Sequence, residues 1–233
     1  MAPYLSLIVP AYNEEKRIVR SVETALDYLG KMDFSWEIII VDDGSNDDTV
    51  GVLDAYKDRV KVISLPVNSG KGAAVRKGMM ESKGEICVFT DADFSIPIHE
   101  IQKILPQMKE GTEICIASRA VDRSLVKEHQ PFYREYMGRI FNWIVQIIVM
   151  RGIKDTQCGF KAFSRKAVDM IFPITRIDRF AFDVELLYLA RKKGLGIAQV
   201  PVEWSNDPRS TVNPIKDSIN MIFELFRIRR LHG

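Results

Sequence analysis

Five short runs rich in β-branched residues punctuate the first half of the chain: Leu5–Val9, Glu37–Val41, Val60–Leu65, Ile86–Thr90 and Glu113–Ala117. Segments of helical character separate them. Glu14–Leu29 carries apolar residues at Ile18, Val22, Ala25, Leu26 and Leu29, a spacing near 3.6. Asp47–Tyr56 and Gly72–Ser82 each follow a turn, and Pro97–Lys109 follows Ser95, a suitable helix entry. Strands alternating with helices predict a mostly parallel α/β sheet, wound right-handedly, with helices on both faces. Ligands of such sheets bind beyond the carboxyl ends of the strands. Three polar motifs stand there: "PAYNEE", "DDGSND" and "DADFS".

The second half reads differently. Residues 131–150 and Pro214–Leu231 are expected to be amphipathic helices, the latter basic. "GFKAFS" is expected to be a strand or hairpin, "FAFDVELLYLARKKG" a helix ended by Gly194, and "IAQVPVEW" a strand. No linker or repeat divides the 233 residues, so one domain is expected.

Composition narrows the function. The net charge of +2 gives no global field for nucleic acid. Three scattered cysteines, Cys87, Cys115 and Cys158, suit a reducing compartment better than a disulfide framework, and three separated histidines suggest no zinc site. The N-terminus reaches charge too early for a signal peptide. The longest apolar stretch, Ile140–Met150, falls short of the roughly 20 residues that span a bilayer. The chain is therefore expected to touch a membrane rather than cross it.

"NSGKGAAVRKG" follows a strand and opens a helix, which raises two nucleotide fingerprints. Both fail: Leu65 and Gly72 break the phosphate-loop pattern, and Val75 breaks the dinucleotide pattern. A Gly-rich turn starting a helix remains, with Lys71 near a phosphate as the alternative. Asp47 and Asp48 read as helix caps, whereas Asp42 at its strand end suits a base or ribose. In Asp91-Ala92-Asp93 an extended backbone points both carboxylates the same way. Two like charges so placed call for a cation, and Mg²⁺ or Mn²⁺ bridging a diphosphate fits the oxygen donors.

The order of "SLIVPAYNEE", "IIIVDDGSNDDT", "NSGKGAAVRKGM", "FTDADFS", "ASR", "DTQCGFKAFS" and "FAFDVELLYLA" resembles the GT-A glycosyltransferases of family 2 over roughly residues 4–230. More narrowly, it is similar to the dolichyl- and polyprenyl-phosphate glycosyltransferases. "TQCGFKAF" with "AFDVELL" resembles the glucosyl-transferring branch more than the mannosyl one. The resemblance implies a single GT-A domain over 1–233, with a nucleotide-sugar half to residue 120 and an acceptor half from 121. It implies an inverting hexosyltransferase using UDP-glucose, or alternatively GDP-mannose, with a polyprenyl phosphate as acceptor.

By the same resemblance, Pro10, Ala11, Tyr12 and Glu14 form the first nucleotide loop, with Asp42 near the base or ribose. Asp91 and Asp93, flanking Ala92, hold the nucleoside side and the metal, and Arg119 faces the diphosphate or sugar. Asp155, Gln157 and Lys161 flank the donor sugar, and Asp183 or Glu185 meets sugar hydroxyls or acts as a base. Arg134 and Arg139 meet the acceptor phosphate, with Arg209 and Ser210 as a lid over the diphosphate. Anchored relatives carry a transmembrane segment, and none is expected within these residues. A partner or amphipathic helices would hold it at the cytoplasmic membrane face. Two rivals are a family member acting on a glycan or protein hydroxyl and a non-catalytic sugar-nucleotide sensor.

Overall fold

The computed structural model describes residues 2–109, 111–128, 132–206 and 214–233. A seven-stranded sheet forms the frame. Its strands are β1 (Leu5–Ala11), β2 (Trp36–Asp42), β3 (Lys61–Ser64), β4 (Ile86–Phe89), β5 (Ile114–Ser118), β7 (Lys161–Ser164) and β8 (Ile197–Pro201), in the order β3-β2-β1-β4-β7-β5-β8. All neighbouring pairs are parallel except those of β7, which runs antiparallel between β4 and β5. A two-stranded ribbon, β6 (Val126–Glu128) with β9 (Trp204–Ser205), stands apart.

Side chains of β1 explain the layering. Leu5, Leu7 and Val9 pack on one face with Ile18, Val22 and Leu26 of α1 (Ile18–Leu29) and with Ile101 and Ile104 of α3 (Ile101–Ile104). Ile8 points the other way, into a second core with Ala74 and Val75 of α2 (Lys71–Glu81). That core also takes residues from α4 (Phe132–Ile148), α5 (Arg165–Ile171), α6 (Phe182–Lys192) and α7 (Pro214–His232). A strand buried on both faces is nearly all apolar, which is why β1 shows no alternation; its one polar side chain, Ser6, donates to Glu37 Oε1 at 2.6 Å.

Local chemistry corrected several boundaries. The segment after Asp47 is a turn followed by a 3-10 helix, Gly51–Tyr56. Pro97–Lys109 is not one helix but a single α turn flanked by 3-10 turns; Pro106 lacks the amide needed to continue it. The short helix α5 escaped the pattern reading. Its cap is Ser164, whose Oγ accepts from the Ala167 amide at 3.1 Å.

Strand order sets the position of the site. β1 and β4 are neighbours, but the chain leaves β1 towards β2 on one side and β4 extends the sheet on the other. The crevice beyond their carboxyl ends is the switch point where such sheets bind ligands.

Candidate active site

Beyond the ends of β1 and β4 lies a cavity of about 450 Å³ lined by Pro10, Ala11, Tyr12, Glu14, Lys71, Asp91, Ala92 and Asp93, together with Arg17, Asp43, Asn68, Gly70, Arg179 and Phe180. Eight residues expected from the sequence thus meet in one place. Two loops cross-brace the first wall. The amides of Asn13 and Glu14 donate to Ser45 Oγ and Thr49 Oγ1 at 2.8 and 2.7 Å, and the Asn46 amide donates to Asn13 Oδ1 at 2.8 Å. Arg17 Nε donates to Glu14 Oε2 at 2.6 Å.

Asp42 does not line this cavity. Its buried carboxylate accepts from the Ser45 amide, and Asp43 forms the wall instead. Asp43 accepts from the amides of Ser69 and Gly70, both at 2.8 Å, and from Asn68 Nδ2 at 3.0 Å. Burial raises its pKa, and these amides only partly offset that. The second aspartate of "VDDG" was the available signal, but a strand end does not reveal which of two neighbours turns inward. The Gly-rich tract is held from behind: a Cβ on Gly70, at φ +110°, would stand 2.5 Å from the Asp178 carbonyl oxygen.

The acidic pair is not extended. Asp91–Phe94 forms a turn in which the Phe94 amide donates to the Asp91 carbonyl at 3.1 Å, with Phe94 at φ 49°. Such a backbone is strained for a bulky side chain and clusters at functional sites. Ser95 N donates to Asp93 Oδ1 at 2.9 Å, and Ser21 Oγ donates to the Ala92 carbonyl at 2.5 Å. The turn, not strand alternation, brings both carboxylates to the cavity. Burial raises the pKa of Asp93, and the charge of Asp91 adds to the effect. Asp91 itself pairs with Lys71. Lys71's pKa is raised: burial opposes its charge, but Asp91, Asp183 and Asp93 outweigh it. Gly159 permits this packing, since a Cβ there would lie 2.1 Å from Asp91 Oδ2.

Lys161 is fully buried in β7, opposite Phe89 of β4 and Ile116 of β5 in the register. Its Nζ pairs with Asp183, donates to the Cys158 carbonyl at 2.6 Å and stands 5.3 Å from the Phe89 ring centre. Expected beside the donor sugar, Lys161 does not line this cavity and instead holds Asp183. Burial raises the pKa of Asp183, with Lys161 and Lys71 opposing. Glu185 is not brought to the site. It is wholly buried and accepts from the amides of Arg176 and Ile177 at 2.8 and 2.9 Å. Its carboxylate is a structural clamp.

A second cavity, about 240 Å³, is lined by Arg119, Arg123, Glu135, Arg139, Trp143 and Trp204, with Asp155 and Gln157. Arg119 follows β5, and Asp155 grips it with three bonds: from Nε at 2.8 Å, Nη2 at 2.9 Å and the Arg119 amide at 3.0 Å. Trp204 covers the guanidinium at 5.4 Å. Burial opposes both charges, yet the pairing prevails, lowering Asp155's pKa and raising Arg119's. Gln157 Nε2 lies 2.9 Å from Met221 Sδ. Arg123 and Arg139 share Glu135, at 2.6 and 3.8 Å. Trp204 and Arg123 were missed because no local pattern links residues 119, 123 and 204. Arg134 lies on α4, and its side chain is outside the description. Arg209 and Ser210 fall outside the described residues.

Two carboxylates at a polar cavity, with Gly159 leaving room at Asp91, are a hard-oxygen donor set that suits Mg²⁺ or Mn²⁺. Among the described residues no third Asp, Glu, His or Cys closes compactly on them. The one such triad, His99, Glu100 and Glu203, already has Lys103 at 2.9 Å and Lys127 at 3.6 Å on its carboxylates.

Residues 6–172 match the sequence profile of Glycosyl transferase family 2. The chain belongs to that family. This family 2 glycosyltransferase is 39% identical to a protein named dolichyl-phosphate beta-glucosyltransferase in Dictyostelium discoideum, over 97% of its own length and 74% of the relative's. It is 36% identical to the human protein of the same name, with the same coverage. Its fold is that of a Mycobacterium tuberculosis glucosyl-3-phosphoglycerate synthase, solved with Mn²⁺, UDP-glucose and phosphoglyceric acid. The TM-score is 0.71 at 22% identity, covering 97% of this chain and 78% of that one.

Proposed function

We propose that this chain transfers glucose from UDP-glucose to a dolichyl or other polyprenyl phosphate, with inversion at the anomeric carbon. The observation that carries the reading is the pairing of an acidic cavity at the sheet's switch point with an Arg-lined second cavity. Arg119 lines the second cavity, and the charge of Asp91 in the first acts on it. The names of the relatives support the sugar and the acceptor class.

In this reading UDP-glucose occupies the cavity at the β1/β4 switch point. Tyr12, 41% exposed, offers the base a ring face, and Asp43 with Asn68 forms the polar wall. Lys71, at the amino end of α2, meets the diphosphate. Asp91 and Asp93 would hold Mg²⁺ or Mn²⁺, which when bound neutralises negative charge on the leaving diphosphate. Arg119 places a fixed positive charge between leaving group and acceptor, preorganised by Asp155 and Trp204. Arg123 and Arg139 receive the acceptor phosphate in exchange for Glu135. A phosphate oxygen, already ionised at neutral pH, attacks the anomeric carbon. The bond to the diphosphate breaks, and UDP leaves with the electron pair. No general base is required, consistent with Asp183 being tied to Lys161 and Glu185 to amides.

The second cavity opens beside apolar surface. On α4, Phe132, Tyr136, Ile140, Trp143 and Ile147 recur every three or four residues and are all exposed, whereas Phe141 and Val145 are buried. α7, which packs on α4, exposes Phe223 and Phe226 near Arg227 and Arg230. Among the described residues no helix is long and apolar enough to cross a membrane. These helices suit peripheral binding at the lipid surface that presents the acceptor. The test is a panel of labelled UDP- and GDP-sugars with polyprenyl phosphate and Mg²⁺ or Mn²⁺. Label from UDP-glucose should enter the organic phase; label passing from GDP-mannose, or only into water-soluble product, would overturn the assignment.

A further inference from the structure

We infer that the Lys71 ammonium is a resident counter-ion of Asp91 that must be displaced when metal and nucleotide enter, which makes the two bind cooperatively. The inference rests on the donor-site reading above and adds how that site is controlled.

Lys71 occupies an unusual place for a cation. It is the first residue of α2, an eleven-residue helix with no acidic residue in its first turn. Helix amino ends carry partial positive charge and favour anions. The location therefore disfavours an ammonium unless something negative compensates. The compensation comes from across the cavity: Nζ pairs with Asp91 Oδ1, and the charges of Asp183 and Asp93 act on it too. One carboxylate of the divalent-cation donor set is thus already paired with an ammonium.

An ammonium and a divalent cation cannot share Asp91 without mutual repulsion. Metal entering alone must evict Lys71, whose side chain is only 23% exposed, and leave that charge without a partner. Stranding a largely buried charge is costly. A diphosphate removes the cost, because it offers Lys71 new oxygens at the same helix end. The backbone need not move. Gly70 and Gly72 are wedged against Asp178 and Ile177, and the Ala73 amide donates to the Asp178 carbonyl at 3.1 Å. The exchange is a rotation of one flexible side chain, with the Phe182 ring 6.0 Å from Nζ as a neighbouring surface. The consequence is that metal alone binds poorly, nucleotide alone leaves Asp91 paired, and the two together bind well.

The test is Mn²⁺ binding to the full chain, followed by the electron paramagnetic resonance signal of free Mn²⁺, without and with saturating UDP. For the unaltered protein UDP should tighten Mn²⁺ binding by roughly 5- to 150-fold, the ordinary range for coupled sites. Lys71→Met keeps the chain's length and removes the charge. It should bind Mn²⁺ alone at least about threefold more tightly than the unaltered protein, and UDP should then add less. Lys71→Gln gives a second uncharged variant should the first fold poorly, and Lys71→Arg should restore weak binding of Mn²⁺ alone. If folded Lys71→Met or Lys71→Gln binds Mn²⁺ alone no better than the unaltered protein, the resident-cation inference is overturned while the donor site stands. If the unaltered protein binds no Mn²⁺ even with UDP, both fall.

Discussion

His232 Nε2 stands 2.7 Å from Glu185 Oε1, so α7 is fastened to the helix that carries Asp183. The same carboxylate accepts from the Arg176 and Ile177 amides and so fixes the start of the loop that brings Arg179 and Phe180 to the cavity beyond β1 and β4. Glu185→Ala should lower the unfolding free energy by about 2–5 kcal/mol, since the buried Ile177 amide and the partly buried Arg176 amide lose their acceptor. Glu185→Gln, which keeps one acceptor oxygen, should lose less. Urea titration reads both. A stable but inactive Glu185→Ala would instead place Glu185 in the chemistry.

The fork between Arg119 and Asp155 gives a second prediction. Asp155→Asn should reduce kcat by about 100-fold, the loss typical when one preorganised charge contact is removed. Arg119→Lys should do the same, because an ammonium cannot make the paired bonds. KM for UDP-glucose should move much less than kcat in both. Steady-state rates decide it; near-normal turnover in Asp155→Asn would mean the fork does not align the reaction.

Gly159→Ala tests the packing at the acidic turn. Its methyl group would begin 2.1 Å from Asp91 Oδ2, so the carboxylate must shift. A displacement of about 1 Å costs on the order of 100-fold in rate. Mn²⁺-dependent UDP binding should weaken alongside, and thermal melting should show the fold retained. Asp93→Asn, which swaps the carboxylate for an amide without changing its size, should nearly abolish transfer in the same assay. Substantial activity in excess Mg²⁺ would remove Asp93 from the metal site.

Glu113 supplies a pH prediction. Its side chain accepts from Lys166 at 2.8 Å and from Ser164 Oγ, and these bonds hold its pKa below the usual glutamate value. A carboxylate whose folded pKa is lowered adds stability above its unfolded pKa, and that stability is lost as pH falls through the folded value. Glu113→Gln should therefore melt earlier than the unaltered protein at pH 7, by the equivalent of about 1 kcal/mol or less. The gap should close as the pH falls through the lowered pKa of Glu113. A gap unchanged at low pH would trace the effect to packing instead of charge.

The sequence alone determined the layered frame and the ends of the strands where chemistry gathers. A buried parallel strand needs a nearly continuous apolar run, and a strand end needs polar residues, so β1, β2 and β4 with "PAYNEE", "DDGSND" and "DADFS" were legible one stretch at a time. Local chemistry of this kind acts between residues close in the chain. The tertiary structure alone decided which side chains work together. Arg119 acquires its roles from Asp155 and Trp204, which lie far along the chain. Lys161 is buried within the sheet by antiparallel β7, and Glu185 is held away from the cavity lining by two amides and a histidine. Asp43 replaces Asp42 at the cavity because the direction a side chain takes at a strand end depends on the loop that closes over it. Pairings of this kind arise from the winding of the sheet, which brings residues from distant segments within reach of one charge.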